Sequence, residues 1–157
     1  MKLFFLRHGV AVEAADWDGA EPDRPLTPEG EAAMRREAAA IAAAGFGIAA
    51  VVSSPYARAA RTAELVAGAL GLPVRLDPRL APGFAAKRLP AVFGDLPEDA
   101  PVLLVGHEPD FSAAVGELIG GGNVEMKKGA LACVKLRGPE DRRGELAALL
   151  TPSVLSR

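Results

Sequence analysis

The stretch Leu3-Phe4-Phe5-Leu6-Arg7-His8-Gly9 is an apolar run that ends abruptly in an arginine, a histidine and a glycine. Four consecutive apolar residues without polar alternation predict a strand covered on both faces, as in a parallel sheet. The pattern recurs twice. Residues 48–52 form a second apolar run, followed by Ser53-Ser54-Pro55, and residues 102–105 a third, followed by Gly106-His107-Glu108-Pro109.

Helical patterns fill the intervals. Thr27 can cap a helix, Pro28 suits its first position and Glu29 complements the dipole, while Met34, Ala38, Ile41 and Ala42 form one apolar stripe that Gly45 ends. Ser53-Ser54-Pro55 repeats the cap-plus-proline start, with Ala59, Ala63, Val66 and Leu70 on one face and Gly71 as the stop. Further along, residues 74–76 read as a short strand and 85–93 as a helix. Another helix follows Pro109 to about Ile119, and two closing strands, 130–136 and 145–150, flank a turn region over 138–144. Strands separated by helices imply a three-layer α/β/α fold, a mostly parallel sheet flanked by helices, with the closing pair antiparallel at one side. The length of 157 residues predicts a single domain spanning 1–157.

Composition narrows the function classes. A net charge of −2 argues against a general nucleic-acid or membrane-surface binder, both of which require a basic face. The single cysteine, Cys133, excludes an internal disulfide framework; it fits a small core residue in a reducing, cytoplasmic setting. The leading apolar run is too short for a signal peptide or a membrane span. There is no glycine-rich dinucleotide loop, so no cofactor is expected.

The chemistry gathers at strand ends. Arg7 and His8 follow the first apolar run, Arg58 falls in the first turn of the helix after the second, and His107 follows the third. In open α/β sheets ligands bind beyond the carboxyl ends of the strands, so these residues are expected around one crevice. A cation in the first turn of a helix opposes the dipole by up to about 1 kcal/mol, and a bound anion reverses that sign. Arg61 and Thr62 occupy neighbouring positions on the same helical face. Either histidine taken alone could be structural. Two histidines without a third convergent Cys or His make a poor zinc set, and flanking arginines disfavour a cation, so no metal is expected. Arginines favour a phosphate, which guanidinium groups bind bidentately. A neutral imidazole with one nitrogen donating to a backbone carbonyl leaves the other free as a nucleophile. Gly9 is expected to let phosphate approach the backbone.

These residues resemble the histidine phosphatase superfamily. Leu6-Arg7-His8-Gly9 is similar to its Arg-His-Gly motif, Ser54-Pro55-Tyr56-Ala57-Arg58-Ala59-Ala60-Arg61-Thr62 to its Ser-Pro-x-x-Arg-Ala-x-x-Thr segment, and Val105-Gly106-His107 to its second histidine motif. The resemblance implies that His8 is the phosphorylated nucleophile and that Arg7, Arg58 and His107 form the phosphate pocket. The short length, Arg24-Pro25-Leu26-Thr27-Pro28-Glu29-Gly30 and Gly106-His107-Glu108-Pro109-Asp110 resemble the SixA-like branch, whose activity is dephosphorylation of phosphohistidine on phosphotransfer domains. The expected partner is a phosphorylated protein, such as a histidine phosphotransfer domain, or a small phosphorylated metabolite. A small-molecule phosphomonoesterase, a mutase-like enzyme and a non-catalytic phosphate- or phosphopeptide-binding module are the alternatives.

Larger members carry an acidic proton donor in mid-chain. The corresponding stretch here, Arg79-Leu80-Ala81-Pro82-Gly83-Phe84, has no carboxylate. Glu108, Asp16, Asp18 and Asp23 are the acids within reach by sequence, Glu108 being equally suited to cap a helix. Arg24, with Lys127 and Lys128, is expected to widen a positive rim, and Trp17 to lie in the loop over residues 10–26.

Overall fold

Leu3 and Phe5 point to one side of their strand and Phe4 and Leu6 to the other, and each pair joins a different hydrophobic cluster. That division organises the chain. In the computed structural model, which describes residues 1–94, 96–97, 99–138, 140–141 and 143–155, six strands form one sheet. They are β1 (Lys2–Arg7), β2 (Ala50–Ser53), β3 (Val74–Leu76), β4 (Val102–Gly106), β5 (Leu131–Lys135) and β6 (Glu145–Leu150), in spatial order β3-β2-β4-β1-β5-β6. Pairing is parallel from β3 through β1, while β5 and β6 attach antiparallel to their neighbours. This is the expected three-layer α/β/α fold with an antiparallel closing pair.

The helices are α1 (Pro28–Ala43), α2 (Ala57–Leu70), α3 (Leu89–Phe93), α4 (Asp110–Leu118) and α5 (Pro152–Leu155). Met34 and Ile41 of α1, Val66 of α2 and Leu155 of α5 pack with Phe4, Leu6, Leu103 and Val105 on one face. Leu89 and Val92 of α3 and Phe111, Val115 and Leu118 of α4 pack with Leu3, Phe5 and Leu104 on the other. Each buried leucine or phenylalanine contributes roughly 1.5–3 kcal/mol, so both sandwiched layers are needed to hold the sheet.

Thr27 caps α1 as expected, its Oγ1 accepting from Gly30 N at 2.9 Å. The start of α2 differs from expectation: it begins at Ala57 with Tyr56 as an N-cap that supplies no side-chain bond. Ser54 Oγ instead accepts from Tyr56 N at 3.2 Å, holding a tight turn ahead of the helix. The second strand starts at Ala50 rather than 48. The 10–26 segment, expected as loop, contains 3-10 turns at Ala14–Asp16 and Glu21–Asp23 and a bridge between Ala11 and Leu26. The predicted 85–93 helix splits into a 3-10 turn, Ala86–Arg88, and α3. Within the closing turn region, Pro139 and Arg142 lie outside the described residues. Among the described residues no helix is long and apolar enough to cross a membrane.

Candidate active site

Strand register brings the sequence-distant groups together. Arg7, the last residue of β1, lies opposite Gly106, the last of β4, and Ser53 of β2 lies opposite Val105. The chain continues this register beyond the strands: His8 N donates to Gly106 O at 3.1 Å and Ser54 N to Val105 O at 3.0 Å. His8, Ser54 and His107 therefore emerge side by side at the carboxyl edge, where Arg58 arrives from the first turn of α2.

His8 is buried, and its Nδ1 lies 2.7 Å from Gly9 O. A carbonyl only accepts, so Nδ1 carries the hydrogen and Nε2 bears the lone pair. Arg58 Nε donates to that Nε2 at 3.2 Å. Burial pushes the His8 imidazole down to about 3; the Gly9 bond opposes the shift, and His107, Arg58 and Arg7 reinforce it. The ring is neutral across the physiological range.

Arg58 is only 4% exposed. Its Nη2 pairs with Glu21 Oε1 at 3.0 Å, its Nη1 donates to Glu21 O at 3.3 Å, and its guanidinium lies 5.3 Å from the Tyr56 ring centroid. Arg7 donates from Nη1 to Met126 O at 2.8 Å, while its buried Nε has no hydrogen-bond partner. His107 Nε2 lies 2.8 Å from Ser54 Oγ, and its buried Nδ1 has no partner. The two histidine rings meet edge-on with centroids 5.3 Å apart. Burial, then the charge of Arg58, lowers His107 to about 4. Unpaired buried nitrogens cost roughly 1–3 kcal/mol each; a bound oxyanion would relieve that cost at the Arg7 Nε–H, and at His107 in the tautomer whose Nδ1 carries the hydrogen while Nε2 accepts from Ser54 Oγ.

Thr62 ties the two halves. Its Oγ1 donates to Arg58 O at 2.8 Å and accepts from Gly9 N at 3.1 Å, locking the His8 turn to the helix that carries Arg58.

Arg7, His8, Arg58 and His107 line a cavity of about 440 Å³, joined by Arg24, Glu108 and Lys128 from the candidate set. Gly9 has a packing role that the sequence did not show. It is absent from the cavity wall and its N–H is already bonded to Thr62; a Cβ there would come within 2.5 Å of Met34 Cγ. The packing of α1 leaves no room for a side chain at this position. Arg61 turns to Glu31 and Glu64 at 2.6 and 3.0 Å, outside the cavity wall, as are Lys127, Trp17, Asp16, Asp18 and Asp23. Glu108 reaches the wall but its carboxylate accepts from both Ser112 N and Ser112 Oγ, capping α4.

Sequence reasoning missed Glu21, Glu13, Tyr56 and Pro82, all of which line the cavity. The Glu21–Arg24 spacing of three was the signal for the first. Arg24 spends Nε and Nη2 on Glu21 at 2.9 and 2.8 Å and Nη1 on Val12 O at 2.6 Å, and Lys128 Nζ faces Glu13 Oε1 at 3.6 Å. The rim thus alternates charge instead of forming the expected positive collar. Pro82 places the mid-chain stretch that lacks a carboxylate in the wall itself. Among the described residues no three His, Cys, Asp or Glu side chains converge to hold a metal ion.

A neutral, oriented imidazole stands beside the Arg7 and Arg58 guanidinium groups at the carboxyl ends of the parallel strands, an arrangement suited to binding a phosphoryl group. The model of the histidine phosphatase superfamily (branch 1) matches residues 3–82, and the chain belongs to that superfamily. An uncharacterized protein of Picosynechococcus sp. is 34% identical over 116 residues, which cover 70% of this chain and 68% of that one. A probable phosphoglycerate mutase, GpmB, of Escherichia fergusonii is 34% identical over 85 residues, 51% of this chain but only 37% of the mutase. The structure of the protein histidine phosphatase SixA complexed with tungstate superposes with a TM-score of 0.80 at 29% identity, covering 98% of each chain. Family and neighbours support phosphatase activity.

Proposed function

We propose that the protein is a phosphohistidine phosphatase in which His8 carries the phosphoryl group, with Arg7, Arg58 and His107 binding its oxygens and a phosphorylated protein side chain as substrate. The observation that carries this reading is the Nδ1–H to Gly9 carbonyl bond, which leaves the His8 Nε2 lone pair pointing at Arg58 beside the cavity. A substrate phosphate draws the Arg58 guanidinium onto its oxygens and releases Nε2 for in-line attack. The Nε2–phosphorus bond forms as the bond to the leaving group breaks, and the leaving group takes a proton. The arginines and His107 stabilise the equatorial oxygens, donors whose individual loss typically costs on the order of 10²–10³ in rate. Water then attacks phosphorus, breaks the Nε2–phosphorus bond and releases phosphate, returning neutral His8.

The wall's carboxylates favour a phosphoramidate substrate. Glu108 is engaged by Ser112, Glu21 is held ionised by its Arg24 hydrogen bonds and the neighbouring Arg58 charge, and the exposed Glu13 faces Lys128 Nζ at 3.6 Å. None of the three is placed as a proton donor. Imidazole, with a conjugate acid near pKa 6.5, leaves with a proton from solvent, whereas an alkoxide needs a positioned acid. Exposed Glu13, Ala14 and Pro82 at the rim leave the mouth accessible to a protein-borne side chain. The buried Cys133 agrees with a cytoplasmic, reducing environment.

Rapid-quench labelling tests the reading, comparing a phosphohistidine phosphotransfer protein with an alkyl phosphate. The expected result is acid-labile, base-stable phosphate on His8, lost in His8→Ala, with faster phosphohistidine turnover. Faster alkyl phosphate turnover refutes the substrate assignment. Transfer of phosphate back to a phosphorylated sugar acid identifies a mutase, and tight binding without labelling a binding module.

A further inference from the structure

The cavity's cations fall into two sets. Arg7 and His107 each retain a buried nitrogen without a partner, and Arg58 sits against His8. Arg24 and Lys128, nearer the mouth, already face carboxylates: all three of Arg24's bonding nitrogens are taken by Glu21 and Val12 O, and Lys128 faces Glu13. Among the cavity's arginines and lysine, the one charge without a carboxylate partner in the described residues is therefore that of Arg7, beside His8, which suits one phosphoryl group. Glu21 sits at the junction of the two sets, its Oε1 within 3.0 Å of Arg58 Nη2 and 2.8 Å of Arg24 Nη2. A half-exposed carboxylate so close to the phosphate-binding guanidinium will meet whatever group a bound phosphate is attached to.

We propose that Glu21 is a specificity-determining residue, selecting phosphorylated groups whose remainder is neutral or cationic and rejecting those that carry a second anion beside the phosphate. This rests on the phosphatase reading above and extends it to the charge of the leaving side. A phosphorylated imidazole meets the requirement. A phosphorylated acid does not, because its carboxylate lies against Glu21 while the rim cations Arg24 and Lys128 already face Glu21 and Glu13. At the open mouth, where the dielectric approaches that of water, one like-charge contact at about 3–4 Å corresponds to about fivefold to tenfold in affinity.

The test uses the full chain and three small probes as competitive inhibitors of phosphoimidazole hydrolysis: phosphoglycolate (anionic), ethyl phosphate (neutral) and phosphoethanolamine (cationic). Wild type is expected to bind phosphoglycolate most weakly. In Glu21→Gln the phosphoglycolate-to-ethyl-phosphate ratio of inhibition constants should fall about fivefold to tenfold, while phosphoethanolamine weakens relative to ethyl phosphate. Glu21→Asp, which keeps the charge, should preserve the wild-type order. Because ratios are compared, a general change in Arg58 cancels. Ratios unchanged in Glu21→Gln, with phosphoimidazole still hydrolysed, overturn the role of Glu21 and leave the phosphatase reading standing. A wild type that does not hydrolyse phosphoimidazole removes that reading, and this inference with it.

Discussion

Replacing Glu37 by glutamine should change how stability depends on pH. Glu37 lies on the inner face of α1, only 3% exposed, and its buried Oε2 has no hydrogen-bond partner. That oxygen stands over Gly129, where a Cβ would come within 2.5 Å of it, and Gly129 N donates to the carbonyls of Arg7 and His8 at 3.1 and 3.2 Å. Burial raises the carboxyl from 4.5 to about 7, with Arg36 opposing the shift. A rise of roughly 2.5 pH units corresponds to about 3 kcal/mol. The folded-state value is the higher one, so the unfolded chain binds fewer protons between the two. The contribution is fully present below pH 4.5 and is lost as pH rises through about 7. In Glu37→Gln that loss disappears. The stability difference between variant and wild type should grow by about 2–3 kcal/mol from pH 4 to pH 8, whatever fixed cost the buried amide adds. For a chain of this size that corresponds to a shift of very roughly 4–12 °C in Tm. Urea unfolding of both proteins at half-unit pH intervals measures it. Curves that run parallel across the whole range would refute the assignment of an unpaired, protonated carboxyl to this site.

Four further outcomes follow from the site. NMR titration of the imidazoles should find both histidines neutral at pH 5.5, since burial lowers His8 to about 3 and His107 to about 4; a midpoint of 6 or above for His8 contradicts the geometry. Because those folded values are depressed, the two histidines should cost stability as pH falls from 6.5 through the folded values, which acid unfolding of His107→Gln against wild type would register. Thr62→Val removes the bonds to Gly9 N and Arg58 O and should destabilise by about 1–3 kcal/mol while lowering the labelling rate of His8; unchanged single-turnover kinetics would show that the Thr62 tie does not position the nucleophile. Gly9→Ala forces a Cβ onto Met34 and should cost about 1–3 kcal/mol, with a smaller penalty in a Met34→Ala background; strict additivity of the two losses would remove Met34 as the cause.

Much of the framework was legible locally because it depends on neighbouring residues alone. The apolar runs around Leu3, Val51 and Leu103 announced buried strands, Thr27-Pro28 announced α1, and Arg7-His8 and His107 sat at strand ends by simple counting. Ser54-Pro55 misled for a physical reason: the hydroxyl that could cap a helix was recruited by Tyr56 N and by His107 Nε2, so α2 starts three residues after Ser54. The packing of Met34 against Gly9 was not legible because the two residues are distant in sequence. What the chain alone determined was which groups reach the carboxyl edge of a parallel sheet, since strand length and register follow from apolar patterning. What only the tertiary structure decided was the tautomer of His8, the Thr62 tie and the docking of the Glu21 turn onto Arg58. Those are hydrogen bonds and ion pairs between segments far apart in the chain, and no local pattern encodes which partner a polar side chain will find.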